Sequence, residues 1–254
     1  MRILNESELE LIFGGDGYGT TTLESVKVTA PSYQSIGNYF NFSYSAPYTE
    51  SGGGGSGGSY HAPANSALPP SQVPNVAKLR CQANAAAVPG HAPSDVPGYS
   101  LDFYNTHAYQ YNGSTSVYFT KGSDNQPAGT TQLRGQTYPN SLTKNEATGA
   151  YSGGAVKIYA DAAIATTGNT YSHSYYDDSN NFVSQGVSLG VLSAEENALM
   201  VTLHEFQHAY QSANPSWMAS QGRANTAANI EADAETFAIK GLERFRAGNK
   251  GTCN

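Results

Sequence analysis

Two histidines and a glutamate in the stretch His204-Glu205-Phe206-Gln207-His208 have the types and spacing of a metal site. On a helix, residues four apart lie one above the other, so His204 and His208 can grip one ion without bending the backbone. Glu205 projects about 100° round the helix from His204, where a carboxylate can hold a water and take its proton. Two neutral nitrogen ligands, an open position and a carboxylate base are half of a hydrolytic zinc centre. A third protein ligand has to come from elsewhere in the chain.

A third histidine at the spacing H-x-x-G-x-x-H is excluded by residue, because Gln211 stands where the glycine belongs and Asn214 where the histidine belongs. Downstream, the run Asn229–Ala238 (NIEADAETFA) opens a second helical pattern, with an apolar stripe at Ile230, Ala234, Phe237, Gly241 and Phe245. Glu231 and Glu235 lie one turn apart on one side of it and Asp233 points elsewhere. Ala234 and Ala238 are small enough to let this helix approach the first closely.

H-E-x-x-H followed on a second helix by E-x-x-x-D/E resembles the gluzincin (thermolysin-like) metallopeptidases. The resemblance covers roughly His204 to Ala238. It implies a zincin-like α+β fold, in which a small mixed or antiparallel sheet packs on the H-E-x-x-H helix and a second helix bears a ligand. It further implies Zn2+ held by His204, His208 and Glu231, with Glu205 as the catalytic base and Glu235 orienting a ligand histidine from behind. Glu235 stands where Asp is commoner in the family, and Asp233 and Glu235 are the alternative third ligands. The implied substrate is a peptide or protein.

The motif needs a helix, and the flanking residues supply one. Ser193-Ala194-Glu195-Glu196 reads as a capping box with two acids in the first turn, and no Gly or Pro follows until beyond Gln211. Leu199, Leu203, Phe206 and Tyr210 make a core-facing stripe. Asn197, Val201, His204, His208 and Gln211 line the neighbouring face, where a metal would sit. Upstream, Tyr99–Tyr104, Ser116–Thr120 and Ala155–Ala160 read as strands. The strand over 155–160 is either an edge that pairs with substrate backbone, as the resemblance implies, or an internal strand. The polar stretch from Gly168 to Gly190 is long enough for a loop over the cleft, where His173, Tyr175 or Tyr176 could stabilise an oxyanion. His61, His91 and His107 have no ligand spacing.

Residues 1–15, MRILNESELELIFGG, lack the long apolar core of a general secretory signal. They resemble the double-glycine leaders of bacteriocins, with Leu4, Leu9 and Ile12 spaced ahead of Gly14 and Gly15. The resemblance implies cleavage after Gly15 by a leader-processing peptidase or exporter, and a protein secreted after leader removal. Residues 16–75 carry a Gly/Ser tract at 52–58 and prolines at 63, 69, 70 and 74, the composition of a flexible linker region. The metallopeptidase domain is then expected over 76–254.

Composition bounds the alternatives. Charged residues make up only 13%, with 18 Tyr and 27 Gly, a profile that suits an exported, loop-rich protein. A net charge of −7 argues against nucleic-acid partners, and no apolar run is long enough for an integral membrane segment. Cys81 and Cys253 flank the expected domain outside any metal-binding pattern. In an exported protein a disulfide between them is natural; two free thiols are the alternative. The functional expectation is an exported zinc metallopeptidase. A second is a bacteriocin-like effector or binding protein whose zinc site is structural or degenerate.

Overall fold

A computed structural model describes residues 68–111, 117–120, 126, 128–139, 143–144, 151–166 and 173–254. The expected leader, with Gly14 and Gly15, and the linker up to residue 67 lie outside the described residues. Chain that packs on the fold begins ahead of Val76: the Leu68 N–H donates to Asn105 Oδ1, whose amide returns a bond to the Leu68 carbonyl.

Helix α1 (Val76–Ala86) starts at an Asn75 cap, and β1 (Tyr99–Tyr104) and β2 (His107–Tyr111) follow. Next come β3 (Val117–Thr120), β4 (Thr130–Leu133) and β5 (Gly135–Tyr138). A small hairpin pairs β6 (Thr143–Lys144) with β7 (Tyr151–Ser152), ahead of β8 (Gly154–Tyr159). A second hairpin joins β9 (Tyr175–Tyr176) to β10 (Phe182–Val183). The rest is helical: α2 (Ala194–Ala213), the single turn α3 (Trp217–Ser220) and α4 (Ala227–Arg246). The chain is therefore α+β.

One sheet has the order β1-β8-β5, with β1 parallel and β5 antiparallel to β8. A second has the order β3-β2-β4. Only Arg134 separates β4 from β5, so one stretch of chain passes from the second sheet into the first. The strand expected over 155–160 is thus the centre of its sheet. Val156 and Ile158 share one face of the strand and are fully buried in the core, while the hydrogen-bonded neighbours on both edges exclude the edge reading. The edge beside the metal-motif helix is β5, which lacks the apolar alternation that marks a strand in the sequence.

Helix α2 carries the expected capping box: Ser193 Oγ accepts from the Glu196 N–H, and the Glu196 carboxylate accepts from the Ser193 N–H. Asn214 and Pro215 end it. Leu199, Leu203 and Phe206 face the core as their spacing requires, at 0%, 4% and 0% exposure, and burying each contributes about 1.5–3 kcal/mol. The helix is buried on its other sides as well, because the sheet, α1 and α4 surround it. Helix α4 starts at a Thr226 cap, ahead of the expected Asn229. Its Ala234 and Ala238 are buried against α2. Gly241 is the tighter contact: a Cβ there would lie 2.3 Å from Leu203 Cδ1, so any larger residue would have to displace the Leu203 side chain. No helix among the described residues is long and apolar enough to cross a membrane.

Candidate metal centre

The α2–α4 contact brings three ligand atoms together over one point. His204 Nε2 and His208 Nε2 are 3.1 Å apart, and Glu231 from α4 places its two oxygens 3.3 Å from the first and 3.5 Å from the second. Nitrogen and oxygen ligands bound at about 2.0–2.1 Å in tetrahedral directions lie about 3.3 Å from one another. Each separation is close to that value, although the two nitrogens face different oxygens of Glu231. One ligand atom from each of His204, His208 and Glu231 lies within 4.8 Å of the others, so the three could hold a metal ion.

The other two carboxylates on α4 are occupied differently. Glu235 is 2% exposed, and its Oε2 lies 3.1 Å from His204 Nδ1. A carboxylate can only accept there, so Nδ1 carries the ring proton and Nε2 keeps its lone pair for the metal. Asp233 faces away and is fully buried. It accepts from Gln207 Nε2 at 2.7 Å, Gln211 Nε2 at 2.8 Å and Trp217 Nε1 at 3.0 Å, and it pairs closely with Arg223. Neither alternative ligand faces the two Nε2 atoms.

Electrostatics follow from this crowding. Desolvation pushes the His204 ring down, but Glu231 and Glu235 outweigh it and hold the ring well above its usual value. His208 is raised too, with Glu231 outweighing the same desolvation. Against desolvation, His208 and His204 hold the Glu231 carboxyl well below the usual carboxylate range. The carboxylates thus draw positive charge onto the rings, and a divalent cation can take the place of those protons.

Glu205 sits beside this cluster at 7% exposure, with its carboxyl raised by burial against the opposing pull of His208, His204 and Thr137. Strand β5 holds it there. The Thr137 hydroxyl lies 2.8 Å from Glu205 Oε2 and 2.7 Å from the Glu205 carbonyl oxygen. A Cβ at Gly135 would fall 2.6 Å from Glu205 Cγ and 2.7 Å from Val201 Cγ1. A glycine is required for β5 to lie this close to α2. Sequence reasoning passed over Gly135 and Thr137, since nothing local in GQTY announces contact with a helix so far along the chain.

The site opens into a cleft of ≈ 660 Å³. Strands β4 and β5 form one wall, the start of α4 with Ala227 and Ile230 another, and His173 lies on the rim. Of the loop residues proposed to face it, His173 does. Tyr176 is instead buried beneath Arg223, whose guanidinium sits 3.6 Å from the ring centroid. Tyr175 packs against the core. On α2, Val201 lines the cleft but Asn197 does not: its amide donates to the Ile164 carbonyl at 2.9 Å. Gln211 stands behind His208, with Oε1 2.9 Å from Nδ1. His91 and His107 lie away from the centre. His91 is boxed by Tyr210, Trp217 and Phe237, and His107 pairs closely with Asp161.

Comparison of the chain with protein-family models, with curated proteins and with solved structures finds no match in any of the three.

Proposed function

We propose that the protein is an exported zinc metallopeptidase of zincin-like fold that hydrolyses peptide bonds in the cleft between β5 and the α2–α4 pair. The observation that carries this is the convergence of two Nε2 atoms and a carboxylate within 4.8 Å of one another, with a further carboxylate, Glu205, beside them and hydrogen-bonded to none of the three. Two imidazoles and one carboxylate form a borderline donor set that favours Zn2+ over Mg2+ or Ca2+. A zinc ion held there supplies a Lewis acid for the carbonyl oxygen and lowers the pKa of water.

The chain's own residues do the rest. Glu205 accepts the proton from the attacking water as its oxygen adds to the carbonyl carbon. It then delivers that proton to the amide nitrogen as the C–N bond breaks. Thr137 keeps the Glu205 carboxylate turned to the cleft. Strand β5 has one strand neighbour among the described residues, β8, and its place beside Glu205 suits strand addition by an extended peptide. His173, which lines the cleft, is the candidate donor to a developing oxyanion. The Cys81–Cys253 disulfide supports an oxidising destination, in keeping with the double-glycine leader ahead of Asp16.

The test is cleavage of an unstructured protein by purified chain beginning at Asp16, with and without chelator. Zinc-dependent cleavage that Glu205→Gln abolishes, while zinc stays bound, is the expected result. A folded, zinc-bound and inert wild-type protein would sink the peptidase assignment and favour an effector with a structural zinc site. Intact mass of exported material is expected to start at Asp16; a secreted form retaining Met1 would rule out the leader.

A further inference from the structure

We propose that Gln211 is a positioning residue for the metal ligand His208, and that Asp233 acts through it. The inference rests on the metal-centre assignment above.

The hydrogen bonds of the Gln211 side chain leave it one orientation. Its Nε2 lies 3.0 Å from the Ile230 carbonyl and 2.8 Å from Asp233 Oδ2. Both partners are pure acceptors, so only the –NH₂ end of the amide can face them, and both its protons are used. The other end, Oε1, is thereby turned to His208 Nδ1 at 2.9 Å. An amide oxygen only accepts, so His208 must donate from Nδ1. Its Nε2 lone pair then points at the place shared with His204 Nε2 and Glu231. The arrangement is buried, with Gln211 at 6% and His208 at 4% exposure. Water cannot easily substitute for a lost partner there.

Asp233 holds the amide in this sense, and it is held in turn. Arg223 pairs with one of its oxygens, while Trp217 and Gln207 donate to the other alongside Gln211. Arg223 also grips Asn180 Oδ1 in the β9–β10 loop. The two ligand histidines are therefore oriented by different devices. His204 leans on the carboxylate of Glu235 directly. His208 leans on a neutral amide, whose direction is set by a buried carboxylate one bond further out.

Replacement of Gln211 by Met preserves length and bulk while removing both the acceptor and the donors. By competition with a chromogenic chelator, Gln211→Met is expected to bind zinc 10–100-fold more weakly than wild type, the usual scale for losing a partner behind a ligand. Cobalt(II) in the variant is expected to show an altered visible spectrum. Zinc affinity within twofold of wild type would overturn the proposal. Should the variant fail to fold, imidazole ¹⁵N NMR on wild-type protein decides: Nδ1 of His208 is expected to carry the proton in the zinc-loaded form. A proton on Nε2 overturns it. None of these measurements uses peptidase activity, so a zinc-loaded but inert enzyme would remove the peptidase assignment and leave this one standing. A wild-type chain that binds no zinc would remove the metal assignment. The His208 tautomer in alkaline metal-free protein then decides the role of Gln211.

Discussion

Glu205 and the three candidate metal ligands differ in what each touches, and single substitutions separate them. Glu231 brings its carboxylate from α4 to both Nε2 atoms, so with the proposed zinc centre Glu231→Ala is expected to lower zinc affinity and activity together. Glu235 touches only the back of His204; Glu235→Ala is expected to cost about 10–100-fold in either quantity, read by chelator competition and initial rates. Thr137 donates to Glu205 and to no ligand. Thr137→Val keeps the shape and removes the hydroxyl, freeing a carboxylate that must stay aimed. A hydrogen bond to a charged group is worth about 1.5–3 kcal/mol, so kcat is expected to fall about 10–100-fold with zinc affinity unchanged. An unaltered kcat would show that burial alone orients Glu205.

At the scale of elements, the α2–α4 pair is tied across its rear by Asp233. On the sequence, Asp233 reads as a carboxylate on the far side of the ligand helix, and its replacement by Ala is expected to do little. The fold overturns that expectation. Asp233 is fully buried, accepts from side chains on α2 and α3, and neutralises Arg223, whose side chain is itself 10% exposed. Removing one partner of a buried pair leaves the other charge unpaired, which costs about 3–5 kcal/mol. Chemical denaturation of Asp233→Ala is expected to show a loss on that scale. A loss below about 1 kcal/mol, the range of an exposed ion pair, would place Asp233 outside the structural framework.

For the whole molecule, residues at the end of the described chain return to α1. Cys253 is joined to Cys81 on α1, with Cα atoms 5.7 Å apart and a sequence separation of 172. Arg244 on α4 also donates to the Ala86 carbonyl. The bond therefore closes almost the entire described fold, including both metal helices. Reduction is expected to lower stability by about 2–5 kcal/mol, measured by denaturation with and without reductant in the zinc-free protein. Alkylation that labels both cysteines of unreduced exported protein would show that the bond does not form there.

The metal motif, its helix and the second helix were legible from residues alone because each depends on short-range order. An i, i+4 histidine pair, a capping box and an apolar stripe are written within a few turns of chain, and they put His204, Glu205 and His208 on one helix and Glu231 and Glu235 on one side of another. The roles of Glu231 and Glu235 rested on the resemblance to the gluzincin metallopeptidases. The sequence could not say which strand lies beside Glu205. Residues 155–160 carry the stronger strand pattern because Val156 and Ile158 alternate with Lys157 and bury one face in the core. Gly135 and Thr137, on the real edge, are selected by contact with α2 and leave no periodic trace. The role of Asp233 was hidden for the same reason: its partners Gln207, Gln211, Trp217 and Arg223 are dispersed along the chain and meet only once α2, α3 and α4 pack. Local periodicity set the two histidines on one face and left Glu231, Asp233 and Glu235 as candidates; tertiary packing decided among them and fixed their orientation, because hydrogen-bond direction and close approach are properties of neighbours in space.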